Sequence, residues 1–121
     1  MVDGIRERLF RSIELRLRAD VPLAFCLSGG IDSSALVSIA KKVFNFDVNT
    51  FSIIDSDKRY NEENNIDITT SDIDCNTTKI KLDNDIDNFM RLKNLVKYHD
   101  APIITPAYFV HSFISEQISK V

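Results

Sequence analysis

The run Leu23-Ala24-Phe25-Cys26-Leu27, broken abruptly by Ser28-Gly29-Gly30, constrains the fold more than any other part of the chain. Five consecutive apolar residues read as a strand buried on both faces, the kind that parallel sheets use. Within it, Cys26 is expected to be a buried thiol. Pro22 keeps a helix from running into this segment from the amino-terminal side. Beyond the glycines, Leu36, Ile39, Ala40 and Val43 recur at helical spacing. The strand is therefore followed by a helix to about Phe44, capped by Asp32 or a neighbouring serine.

The remaining segments extend this pattern. Ile5, Leu9, Ile13 and Leu17 mark one face of a helix over Asp3 to about Arg18, with arginines and glutamates opposite. A second strand is expected over Val48–Ile54, and a third over Thr78–Leu82. Residues 61–72 between them read as a helix, despite asparagines and threonines of low helical propensity. Ile86, Phe89, Leu92 and Val96 define a helix over 85–96, with Phe89, Phe109 and Phe113 as core candidates. Pro106 opens a last helix to about Lys120. Strands alternating with helices imply an α/β fold, a parallel sheet of about three strands with helices on both faces.

The 121 residues fit one small domain, and 44% hydrophobic with 27% charged residues is ordinary for a globular protein. A net charge of -3 without one dominant basic run argues against nucleic acid as the main partner. The longest apolar run is too short to cross a bilayer and the amino terminus is unlike a signal peptide, so the expected location is cytoplasmic. Cys26 and Cys75 lack metal-ligand spacing. His99 and His111 have no convincing partner, and the Asp55–Asp57 and Asp83–Asp87 stretches lack the glycine and glutamate of an EF-hand.

The chemistry concentrates in Leu27-Ser28-Gly29-Gly30-Ile31-Asp32-Ser33-Ser34, at the carboxyl end of the first strand, where open α/β sheets bind ligands. Adjacent glycines let the backbone turn tightly and aim N–H groups at an anion. The following helix adds the positive end of its dipole. Ser28, Ser33 and Ser34 offer hydroxyl donors. Asp32 would repel phosphate by itself, so its natural role runs through a phosphate-bound Mg²⁺. The chain has neither the G-x-x-x-x-G-K-[ST] nor the G-x-G-x-x-G signature.

What remains, S-G-G-x-D-S-S, resembles the loop of the ATP pyrophosphatases, or PP-loop enzymes. Its flanks narrow the resemblance. Arg18-Ala19-Asp20-Val21-Pro22, Thr50-Phe51-Ser52-Ile53, Arg59-Tyr60-Asn61-Glu62 and Tyr98-His99-Asp100-Ala101-Pro102 resemble segments of the synthetase domain of glutamine-hydrolysing asparagine synthetases. Asn61 stands where that family has Asp, and the last segment lacks its Glu. The resemblance runs from about Gly4 to Ser119. It implies an adenine nucleotide alpha hydrolase-like, Rossmann-like fold, with residues 1–121 forming a partial ATP-binding domain and an incomplete sheet.

By position, the resemblance implies adenine or ribose contacts at Leu27 and Ile53. It implies pyrophosphate contacts at Ser28, Gly29, Gly30, Ser33 and Ser34, and Mg²⁺ at Asp32, which is also the catalytic candidate. The cofactors implied are ATP and Mg²⁺. The reaction implied is adenylation of a carboxylate, aspartate in the complete enzyme, followed by transfer of ammonia. The chain stops where the family's fourth strand would begin, and residue 2 is Val where the family's glutaminase domain has its cysteine. The expectation is a fragment inactive alone, completed by further sequence, a partner fragment or a homodimer. A β-lactam synthetase or sugar amidotransferase parent shares the same chemistry. A non-catalytic nucleotide-binding or interaction module is the alternative of a different class.

Overall fold

The computed structural model describes residues 2–55, 62–82 and 87–120. Along the chain run α1 (Val2–Arg16), β1 (Ala24–Cys26), α2 (Ile31–Lys42), β2 (Asn49–Ile54), α3 (Glu63–Ile73), β3 (Asn76–Lys81), α4 (Asn88–His99) and α5 (Pro106–Ile118). The strands form one parallel sheet in the order β1-β2-β3, with Cys26 opposite Phe51 and Phe51 opposite Thr78. This is the α/β architecture that the alternation of elements predicts.

Strand β2 is central, and its alternating side chains divide the core in two. On one side Leu27, Val37, Ala40, Val48, Ile54, Ile66 and Ile73 pack together, joining the sheet to α2 and α3. On the other, Phe51 and Ile80 pack against Phe113 and Ile114 of α5. Each fully buried Leu, Ile or Phe stabilises the fold by about 1.5–3 kcal/mol relative to exposure. Helix α1 adds to the first layer through Phe10, whose ring meets that of Phe44 edge-on at 6.4 Å.

The chain has three glycines, and its helix ends rely on other residues. Asp74 and Asp100 cap α3 and α4 in the left-handed region at φ 48° and 51°, and Asn45 adopts φ 51° just after α2. Asp and Asn tolerate that region because their short side chains bond locally. Asp87 starts α4 by accepting from the Met90 N–H at 2.9 Å. Pro106 occupies the first turn of α5, as the sequence predicts.

Several expectations are corrected. Strand β1 is not buried on both faces: Ala24 and Cys26 are exposed on the face they share with Phe51, where α5 packs against Phe51 and Ile80 of β2 and β3. Burial of its remaining surface still pushes the Cys26 thiol pKa up. Helix α2 starts at Gly30 without a side-chain cap, so neither Asp32 nor a serine caps it. Phe89, expected in the core, is 75% exposed, and α4 has no buried residue. Ile5, Leu9, Leu36 and Val43 are exposed although their spacing points them inward. Helical spacing identifies an apolar face but not whether anything covers it.

Arg59, Tyr60, Asn61, Asp57, Asp83, Asp85 and Ile86 lie outside the described residues.

Candidate phosphate-binding loop

The loop is held together by its own serines. Ser33 Oγ donates to the Gly30 carbonyl at 3.1 Å and accepts from the Ser28 N–H at 3.2 Å. The Ser28 and Ser33 hydroxyl oxygens lie 3.0 Å apart. With the Ser33 proton committed to Gly30, Ser28 is the donor across that contact. Ser28 Oγ in turn accepts from the Gly30 N–H at 3.3 Å. These bonds fix the turn between β1 and α2, and both hydroxyls are used inside it.

The free donors are therefore on the backbone. The first intrahelical bond of α2 runs from the Ser34 N–H to the Gly30 carbonyl at 3.1 Å. The N–H groups of residues 31–33 have no acceptor within the helix, and they point toward its positive end. Lys41 and Lys42 in the last turn complete the match between side-chain charge and helix dipole. An anion at the first turn gains both hydrogen bonds and the dipole's field.

Gly29 carries the turn at φ +85°. A Cβ at this position would lie 2.7 Å from Glu62 Cβ, 2.9 Å from the Glu62 carbonyl oxygen and 3.3 Å from its Oε2. Glu62 is the N-cap of α3. The amino ends of α2 and α3 thus converge on one glycine, with two dipoles aimed toward the same region. In the sequence Glu62 stands out only as the end of the Arg59-Tyr60-Asn61-Glu62 segment, with no role of its own. Nothing in local periodicity places it against a residue thirty-odd positions away.

The other predicted site residues separate into groups. Asp32 is exposed in the first turn of α2, two residues after Gly30. Ser34 Oγ accepts from Thr69 Oγ1 at 3.2 Å and so faces α3. Leu27 is 1% exposed in the α2–α3 core, and Ile53 packs with the α5 cluster on the opposite face. The two side chains do not meet, so a nucleotide contact at Leu27 falls to its backbone. Open hollows along α4 and α1 contain no loop residue. The loop's backbone N–H groups therefore define the candidate anion site.

The donor set near the loop suits one kind of metal. Among the described residues no three His, Cys, Asp or Glu side chains gather where they could enclose an ion. Mg²⁺ commonly takes one or two carboxylates, filling its shell with phosphate oxygens and water. A lone Asp32 in the first turn of α2, beside a candidate phosphate-binding turn, suits that mode of binding better than a fully protein-bound cage.

The asparagine synthase family profile matches residues 4–121, which take in the loop, all of α1 from Gly4 onward and every later described element. The chain belongs to the asparagine synthase family. It is 30% identical over 121 residues to asparagine synthetase (glutamine-hydrolyzing) 1 of Bacillus subtilis strain 168, covering 99% of this chain and 19% of the relative. Two fungal proteins, amidase chry2 of Gibberella zeae and amidase chyE of Penicillium rubens, are each 51% identical over 39 residues. Those matches cover 32% of this asparagine synthase-family chain and 6% of each relative. The chain thus spans less than a fifth of the length of each of these relatives. Among the described residues, no helix is long and apolar enough to cross a membrane.

Proposed function

We propose that this chain is the ATP-binding portion of an amide-forming ligase of the asparagine synthetase type. In this reading the loop from Ser28 to Ser34 receives the β and γ phosphates of ATP. The observation that carries it is the turn itself: Gly29 at φ +85° delivers β1 into the uncapped amino end of α2. The N–H groups of residues 31–33 bind phosphate oxygens, and Ser28 and Ser33 keep the turn in shape before any ligand arrives. Such preorganisation lowers the reorganisation cost when charge develops on the leaving group.

Asp32 holds the metal side of the complex. Bound Mg²⁺ would supply neutralising charge to the pyrophosphate as it leaves. The reaction served is adenylation of a carboxylate with release of pyrophosphate, followed by transfer of ammonia to the activated acyl group. For the complete enzyme the carboxylate is that of aspartate, consistent with the name of the Bacillus relative, an asparagine synthetase. Spanning 19% of the Bacillus relative, the chain by itself is expected to bind nucleotide without turning it over.

Calorimetric titration of Mg²⁺-ATP into the chain, with Asp32→Ala and Ser28→Ala variants, tests the reading. Saturable binding is expected in the wild type, weakened about tenfold or more by Asp32→Ala, as for loss of a charge-assisted contact. A folded wild-type chain that shows no saturable binding would overturn it.

A further inference from the structure

Glu62 stands in an unusual electrostatic position. Its Cβ, carbonyl and carboxylate crowd the one face of Gly29 where a side chain would project, with Oε2 3.3 Å from that point. Its carboxylate makes no hydrogen bond or ion pair with any other described side chain, whereas its neighbour Glu63 is paired with Lys79 at 2.9 Å. Residues 28–34 contain no Lys or Arg, and their one ionisable side chain is Asp32. The fixed side-chain charges described at this anion-binding turn are therefore both negative. Backbone dipoles provide the attraction, and two carboxylates oppose it.

We propose that Glu62 makes the loop selective for metal-complexed over free polyphosphate, a role that rests on the nucleotide-binding reading above. Free pyrophosphate brings its full negative charge up to Glu62 and Asp32. Complexation with Mg²⁺ removes two of those charges and gives Asp32 a ligand to hold. For unit charges about 4–6 Å apart near a protein surface, repulsion lowers affinity by an order of magnitude or more. Glu62 thus acts as a screen: it penalises the bare anion and costs the metal complex little. Its backbone and Cβ packing on Gly29 keeps the base of the side chain beside the turn, within reach of an anion there.

The test compares binding of inorganic pyrophosphate to the full chain, with excess Mg²⁺ and with EDTA, for wild type, Glu62→Gln and Asp67→Asn. The amide in Glu62→Gln keeps the shape that packs on Gly29 and removes only the charge. Asp67→Asn removes a charge from the same helix, but from a carboxylate already paired with Lys79 at 2.7 Å. The expected result is a gain of about tenfold in metal-free affinity for Glu62→Gln, with Mg²⁺-complex affinity within about twofold of wild type. Asp67→Asn should leave the ratio of the two affinities unchanged. Equal ratios in wild type and Glu62→Gln, or the same shift in Asp67→Asn, would overturn the proposal. Absence of wild-type binding in both conditions is a different failure: it removes the nucleotide-binding reading, and this role with it.

Discussion

Replacing Gly29 by Ala should damage the fold far more than replacing its neighbour Gly30, and the structure gives the size of the difference. At φ +85° an L-residue carries a backbone penalty of about 1–2 kcal/mol. The new Cβ would stand 2.7 Å from Glu62 Cβ and 2.9 Å from the Glu62 carbonyl oxygen. Optimal carbon contacts are about 3.5–4.0 Å, and overpacking of this kind typically costs about 1–3 kcal/mol. No rotamer relieves it, because the obstructing atoms are backbone and Cβ. The sum is about 2–5 kcal/mol, a large part of the stability of an ordinary small domain. Gly30 instead sits at φ -75°, ψ 160°, and its Cβ would meet Ser28 Oγ at an ordinary 3.4 Å. Gly30→Ala should therefore change stability by no more than about 0.5 kcal/mol. Urea unfolding of the three proteins by circular dichroism measures both numbers. A Gly29→Ala variant within about 1 kcal/mol of wild type would refute the reasoning, since neither the positive φ nor the seat on α3 could then be as described. Should Gly30→Ala stay folded yet lose Mg²⁺-ATP, the lost clearance is that of the ligand and not of the chain.

Three further outcomes are expected. Ser33→Ala removes the acceptor and donor that tie Ser28 to Gly30; amide exchange at Ser28 and Gly30 should accelerate, with about 1–2 kcal/mol lost, and unchanged exchange would mean the turn does not depend on that hydroxyl. Ser52 is fully buried and its Oγ has no hydrogen-bond partner among the described residues, so Ser52→Ala should be neutral or stabilise by about 1 kcal/mol in urea unfolding; a loss of that size would reveal a partner for the hydroxyl. Arg91 and then Lys120 hold the Glu116 carboxyl below the usual carboxylate range. A folded pKa lower than the unfolded one contributes stability that is present above the unfolded pKa and disappears as pH falls through the folded value. Protection of α4 and α5 amides should therefore decline as pH drops from about 5 to about 3, and Glu116→Gln should flatten that part of the profile; an identical profile in the variant would count against the tie.

Some of this was legible in the residues themselves. The apolar run into Ser28-Gly29-Gly30 announced a strand, a turn and a helix, and β1 and α2 occur there. Pro106 marked the start of α5. The inward positions of Ile13 and Phe113 followed from the apolar face of each helix, because side-chain direction repeats every 3.6 residues there, whereas α3 was expected from its place between two strands and not from its residues. The loop together with its flanking segments pointed to the asparagine synthase family, which the profile over residues 4–121 shows.

Where sequence reading failed, it failed on coverage. Cys26 looked buried and is exposed on an edge strand; Phe89 looked like core and is 75% exposed. A period states which face of an element is apolar, but what lies against that face depends on the neighbouring elements. The loop divided along the same line. The turn, its glycines and the place of Asp32 in the first turn of the next helix were decided by the sequence alone, since adjacent glycines after an apolar run dictate a tight strand-to-helix turn. Only the tertiary structure decided that Ser28 and Ser33 spend their hydroxyls on each other, that Leu27 and Ile53 lie on opposite sides of the sheet, and that Glu62 rests on Gly29. The last of these depends on β1 and β2 lying side by side, which brings the start of α3 against the turn before α2. No local pattern in either segment records that distance.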